Sequence, residues 1–318
     1  MFDIKPQTFQ YWYKNFISDY LPDINSKKWH PQKIEITDKT TGEISEKPVY
    51  VFKKEHIGAK MSIDDKSIGQ EGFTVLSNYQ TGKIAMLIES TNSVEVEAAM
   101  ALFGEQLNKI KHISMDMSST CALVCNNLIP CATQIIDKFH VMKHVYEVVS
   151  NVRTGIRKTL LAMLTKGTKK TEEDKKILAE LELLRRVRYA ITQSPDKWSN
   201  KMKKTVNQVF EKYNNLKLAY QISQHFKRWY DYQNHSKSMD EIRNNLYKWY
   251  EQAKQLEEFK GVIKMIRKHE SEMMNFFKHG ISNAKAERLN GKIQRFVSNN
   301  FGIKNKDFTL YRIANYFA

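Results

Sequence analysis

Cysteine is scarce in this chain of 318 residues: Cys121, Cys125 and Cys131 are an odd set, and no two form a CxxC pair. That argues against a disulfide framework and leaves a zinc site without suitable spacing or a fourth ligand. The three read as reduced, mostly buried thiols. Long apolar runs are missing too. Nothing approaches the roughly 18 to 20 residues of a spanning helix, so no membrane span is expected. The opening "MFDIKPQTFQYWYKNF" has no basic stretch followed by an apolar core, so no secretory signal is expected either. Acids are the third shortage, with 35 Asp and Glu against 51 Lys and Arg, a net charge of +16. This imbalance favours a polyanionic partner, nucleic acid first and an anionic membrane surface second; the bland alternative is a merely basic soluble protein.

What is present suffices for one large or two modest domains, with 41% apolar residues. Residues 1–55 hold an aromatic segment, "TFQYWYKNFISDYL", expected as a short helix, then a polar stretch with turn signals, "TDKTTGEISEKP". From Ile57 three short runs read as strands, "IGAKMSIDD", "GFTVLSNY" and "KIAMLIES", the last two joined by "QTGK". Residues 93–109 have helical spacing, with Val94, Ala98, Ala101 and Leu102 expected on one face. "HISMDM" and "ATQIID" are a fourth and a fifth strand. Between them "SSTCALVCNNL" reads as a serine-capped helix that stops before Pro130, and a long helix is expected from about Phe139 to Leu164. Beyond Gly167 three long tracts are helical. The fold class is therefore α/β: a five-stranded mixed sheet with flanking helices, interrupted by an all-helical insertion.

In that order of elements, Asp64 ends the first strand and Asp116 the fourth. Those two strands are neighbours in the mixed sheet of the ribonuclease H type. Two carboxylates brought together repel unless a divalent cation lies between them. Glu287, in "SNAKAERLNGKI", could supply a third ligand from a helix packed beside the sheet. Asn283, Glu287, Asn290 and Gln294 fall on one polar stripe, and Leu289, Ile293, Phe296 and Val297 on an apolar one. Arg288, Lys292 and Arg295 form a basic stripe suited to phosphates, and Gly291 removes a side chain where a DNA backbone could approach. Taken singly, each acid has an ordinary explanation: Asp64 and Asp65 as turn residues, Asp116 as a cap, Glu287 as a solvated helix residue. Their joint order carries the case.

The segments "SIDDKSI", "SMDMSSTCALVCNNLIPCATQIIDKFHVMKHVYEVVSNVR" and "SNAKAERLNGKIQRFVSNNFGIKNKDFTLYRIANYFA" resemble the signature blocks of bacterial insertion-sequence transposases of the DDE class. The resemblance runs from about residue 56 to the C-terminus and is most specific in the last block. It implies a ribonuclease H-like core of the integrase superfamily in two parts, 56–166 and 279–318. An all-helical insertion at 167–278 separates them, and 1–55 stands as an N-terminal segment for DNA or partner contact. It implies the triad Asp64, Asp116 and Glu287 holding two Mg²⁺ ions, with Mn²⁺ able to substitute, for DNA strand cleavage and strand transfer. Asn283, Arg288, Asn290, Lys292 and Arg295 would hold DNA. Asp137 and His140 would brace the site or position DNA. A homo-oligomer such as a dimer, acting on element ends and target DNA in the cytoplasm at the nucleoid, is further implied. Many relatives begin with a cysteine-rich zinc ribbon and a helix-turn-helix. No cysteine precedes Cys121 here, so recognition is expected from a separately encoded protein, the favoured reading, from residues 1–55, or from the helical insertion. The rival expectations are a structure-specific nuclease on the same core and a non-catalytic DNA-binding relic.

Overall fold

A computed structural model describes residues 4–37, 42–164, 171–281, 284–299 and 305–318. The chain forms two compact units, one of residues 1–137 and 281–318, the other of residues 138–280.

The first unit opens with two short helices, α1 (Pro6–Trp12) and α2 (Tyr20–Asn25). Strands β1 (Gln32–Thr37) and β2 (Ile44–Phe52) follow, then the meander β3 (Lys60–Ile68), β4 (Glu71–Asn78) and β5 (Ile84–Ile88). Helix α3 (Ser93–Ala101), β6 (His112–Met115), α4 (Ser119–Leu128) and β7 (Thr133–Ile136) complete the first stretch. The second unit holds α5 (Lys138–Met163), α6 (Glu172–Arg186), α7 (Asn200–Lys212), α8 (Asn214–Trp229), α9 (Met239–Ala253), α10 (Lys260–Lys268) and α11 (Glu270–His279). The chain then returns to the first unit with α12 (Ala284–Asn299) and α13 (Lys306–Phe317).

The sheet has seven strands in the order β1-β2-β5-β4-β3-β6-β7, antiparallel from β1 through β3 and parallel from β3 to β7. The five expected strands are all present, but the sheet is wider than expected. The segment before residue 56 adds β1 and β2 beside β5. "QKIEIT" alternates apolar and polar on an exposed edge, and Pro48 in β2 sits next to that edge, so both strands read as turn-rich polar sequence. The β4–β5 turn is built as its residues require. Gly82 takes φ +72°, and the Asn78 side chain accepts from the Gln80 and Thr81 amides.

One face of the sheet is covered by α12 and α13. Leu289, Ile293 and Val297 of α12, with Leu310 and Ile313 of α13, pack on Tyr50, Val51, Ile68, Phe73, Val75, Ile84 and Leu87, with Phe296 partly buried beside them. The apolar stripe expected on α12 is the stripe buried. On α3 the expected face is corrected: Val96, Ala99 and Met100 are buried, whereas Val94 is half exposed. Its two acids, Glu95 and Glu97, fall on opposite sides of the helix, so its periodicity names no face. Helix α4 starts where its serines place it, the Ser118 side chain accepting from the Cys121 amide.

In the second unit the three helical tracts break into six helices, α6 to α11. Tyr213 (φ −121°, ψ 81°) separates α7 from α8, and His269 separates α10 from α11. The aromatics there form a core. Phe226, Tyr230 and Trp249 are fully buried, and the indole N–H groups of Trp229 and Trp249 donate to the Ile242 and Ile222 carbonyls.

Candidate active site

The site follows from strand register. Strands β3 and β6 pair in parallel up to Ile63↔Met115, and β6 pairs with β7 up to Met115↔Ile136. The next residue on each strand is an acid: Asp64, Asp116 and Asp137. Three carboxylates therefore follow the last parallel pairs of three neighbouring strands: Asp116 and Asp137 just past the carboxyl ends of β6 and β7, and Asp64 in mid-strand, because β3, expected to end there, stays paired with β4 as far as Ile68.

Two of them meet. Carboxylate oxygens of Asp64 and Asp116 lie within 4.8 Å of one another. Asp64 is 6% exposed, and its Oδ2 accepts a 2.6 Å bond from Nδ2 of Asn290, which is 8% exposed. Asp116 is held from the other side, its Oδ1 accepting from the Ser118 amide at 2.8 Å in the turn that opens α4. Asp137 is buried, and its amide donates to the Met115 carbonyl at 2.8 Å.

Asp65 follows on β3. Thr74 Oγ1 lies 2.7 Å from both Asp65 Oδ1 and the Ser90 carbonyl. A hydroxyl has one hydrogen, so it donates to only one of these acceptors at a time. Burial first, and then the charge of Asp116, pushes the Asp65 carboxyl above its ordinary range, against the Thr74 hydroxyl bond that lowers it. A protonated Asp65 can donate to Thr74 while Thr74 donates to Ser90, which satisfies all three groups.

The remaining expected residues divide by exposure. Glu287 lies in the first turn of α12, half-buried and one turn before Asn290; it is not in the close group that Asp64 and Asp116 share. Arg288, Lys292 and Arg295 are exposed, and among the described residues none is in an ion pair. At Gly291 an added Cβ would meet nothing within 4 Å, so packing does not require its missing side chain. Asn290, expected to hold DNA, is buried, and its amide donates to Asp64. Asn283 lies outside the described residues. His140 belongs to the second unit, half-buried in the first turn of α5 with its ring edge-on to Phe139.

A family model described as a transposase, of the DDE class and the ISL3 type, matches residues 61–313. The chain belongs to that family. Neither a curated protein nor a solved structure matches it. The match begins at the start of β3 and ends within α13, so every element of this transposase that carries a row acid or Glu287 falls inside it. No helix among the described residues is long and apolar enough to cross a membrane.

The donor set suits a hard divalent cation. Asp64 and Asp116 offer only oxygen, at a separation one ion can bridge, and Mg²⁺ characteristically takes one or two carboxylates and leaves its other positions to water and phosphate. Sequence reasoning missed two features here. The Asn290–Asp64 bond was visible only as a spacing of three residues from Glu287, and the Asp65–Thr74–Ser90 network left no local signal.

Proposed function

We propose that this transposase cleaves and joins DNA strands at the ends of an insertion element, using Asp64, Asp116 and Glu287 to hold two Mg²⁺ ions. The observation that carries the reading is the row of acids where the parallel pairing of β3, β6 and β7 stops, with Asp64 and Asp116 close together. The core strands run in the order β5-β4-β3-β6-β7, which supports a ribonuclease H-like core. Bound ions of this kind polarise the scissile phosphate and lower the pKa of the attacking oxygen.

The chain's own groups do the rest. Asn290 holds the Asp64 carboxylate in one orientation, and the Ser118 amide holds Asp116. Arg288, Lys292 and Arg295 project from α12 toward solvent, where they can grip backbone phosphates on either side of the scissile bond. Gly291 leaves room among them for the strand. Water opens the phosphodiester to give a 3′-hydroxyl and a 5′-phosphate; that hydroxyl then attacks a phosphodiester of the target, joining to its phosphorus as the bond to the target's 3′-oxygen breaks and releases a 3′-hydroxyl.

The test is a strand-cleavage assay on DNA carrying the repeats that flank the coding region, with Mg²⁺ or Mn²⁺ present. Wild type is expected to nick at the repeat boundary and then join the freed end to target DNA. Asp116→Ala should do neither. Glu287→Gln should lose cleavage while keeping DNA affinity nearly intact, and a fully active Glu287→Gln would remove Glu287 from the triad. Nicking without joined product would favour a structure-specific nuclease on the same core.

A further inference from the structure

In the second unit a buried arginine, Arg153, has no ion-pair partner among the described residues. Arg153, on α5, is only 7% exposed. Its Nη1 donates to the Leu184 carbonyl at 3.3 Å and its Nη2 reaches Thr154 Oγ1 at 3.5 Å, while its Nε is buried without a hydrogen-bond partner. Arg157 stands one turn further along the same face of α5, and its Nε is likewise buried and unpartnered. Arg188 follows the end of α6, in the segment that leads to the short 3₁₀ turn Ala190–Thr192 packed on α5. Its guanidinium lies 5.1 Å from the ring centre of the exposed Tyr189.

A buried guanidinium ordinarily has a carboxylate beside it. Here the neighbours are cations. Among the described residues none of Arg153, Arg157 and Arg188 is in an ion pair. Glu182, the nearby acid on α6, is already shared by Arg185 and Arg186. Burial, and then the charges of Arg157 and Arg188, hold Arg153 below its ordinary pKa. One compensation exists. The Leu184 carbonyl belongs to the last turn of α6, where the helix presents roughly half a negative charge. That offsets part of Arg153; Arg157, half-buried with its Nε unpartnered, has no such compensation, and Arg188 stands exposed beside them.

We propose that Arg153, Arg157 and Arg188 form a phosphate-binding site in the helical insertion, and that its ligand is a backbone phosphate of the DNA on which the transposase acts. The guanidinium fork matches a phosphate's oxygens, and an anion is the group that a cluster of arginines without carboxylates would hold. Tyr189 gives the neighbouring sugar or base a flat apolar surface. The identity of the anion rests on the proposed function; the need for an anion rests on the cluster alone.

The test uses the full chain, with Asp116→Ala added so that DNA is bound and not processed. Arg157→Gln and Arg188→Gln are combined, since both side chains reach solvent. Labelled duplex DNA is titrated at several salt concentrations, and melting is followed in inorganic phosphate and in chloride at equal ionic strength. The expected result is a salt slope reduced by about 1 in the double variant, from about 0.9 per phosphate contact on B-DNA. Phosphate should raise the melting temperature of the protein with the arginines and not of the variant. Without phosphate the variant should melt at or above the parent, because like charges have been removed.

An unchanged slope together with an unchanged phosphate response would overturn the site, and a variant that melts well below its parent would make the arginines structural. A phosphate response lost with the arginines beside an unchanged slope would overturn DNA as the ligand in favour of free phosphate. An arginine-dependent slope in a chain whose triad-intact form does not cleave would fault the proposed function and leave the site standing.

Discussion

Replacing Asn290 by alanine tests the contact that joins α12 to the acid row. The Asn290 amide donates at 2.6 Å to a carboxylate that is 6% exposed, so water cannot easily take its place. A hydrogen bond to a charged group contributes about 1.5–3 kcal/mol. If α12 opens from the sheet as a local unit, that corresponds to roughly 10- to 150-fold faster amide exchange in α12 and β3. Hydrogen-exchange mass spectrometry on peptides covering Lys60–Ile68 and Ala284–Asn299 reads it directly. The same change frees Asp64 to rotate, and loss of an outer partner of a metal-holding group typically costs about 10- to 100-fold in metal affinity or activity. Cleavage should therefore need more Mg²⁺. Asn290→Asp should be worse at neutral pH, since two carboxylates at that distance cannot both be ionised; it should recover on acidification as the pair takes up a proton. Unaltered exchange in both peptides, together with an unaltered Mg²⁺ requirement, would refute the bracing role.

Three further outcomes are expected. Ile293→Ala empties a fully buried position between α12 and the sheet and should destabilise the first unit by about 2–5 kcal/mol in urea melts, where Gln294→Ala, on the exposed side, should change little. Asp23 is held below its ordinary carboxyl range first by the Tyr311 hydroxyl at 2.7 Å and then by Lys28, so its contribution is present above pH about 4 and is lost as pH falls through its folded pKa. Tyr311→Phe should thus be less stable than wild type at neutral pH, and the gap should close as the solution is acidified. Burial pushes the Cys121 and Cys125 thiols upward, Cys121 further through Asp116 and Asp65, whereas Cys131 is exposed. A thiol reagent at neutral pH should label Cys131 quickly and the other two only on unfolding.

The elements that could be read from sequence were those whose residues act locally. The serines before α4, the glycine between β4 and β5, and the apolar stripe of α12 each perform a job that needs only a few neighbours in the chain. Asp64 and Asp116 could be paired because a parallel register makes them neighbours once the strand order is assumed, although β3 runs on past Asp64 to Ile68. What stayed hidden depends on distant partners. β1 and β2 are strands because β5 offers an edge for them, and nothing within "QKIEIT" records that edge. The buried face of α3 is chosen by what packs on it. Asn290 looked like a DNA-facing amide because a helix wheel gives its angle, and only Asp64, 226 residues away in the chain, turns it into a brace.

The acid in α12 now has an account that composition alone could not supply. Leu289, Ile293 and Val297 fix the helix against the sheet, Asn290 locks its first turns onto Asp64, and Glu287 stands one turn earlier on that anchored helix. In the proposed site a carboxylate there would add to the negative charge of Asp64 and Asp116, a placement that folding alone would not favour. The exposed Arg288, Lys292 and Arg295 do not relieve it by ion pairing. Negative charge gathered at strand ends, with positive charge left unpaired beside it, is the distribution suited to cations on one side and phosphates on the other. On this reading α12 is one rigid part with two jobs, packing and presentation. Packing substitutions at Leu289 should therefore register as changes in metal dependence before they register as loss of fold.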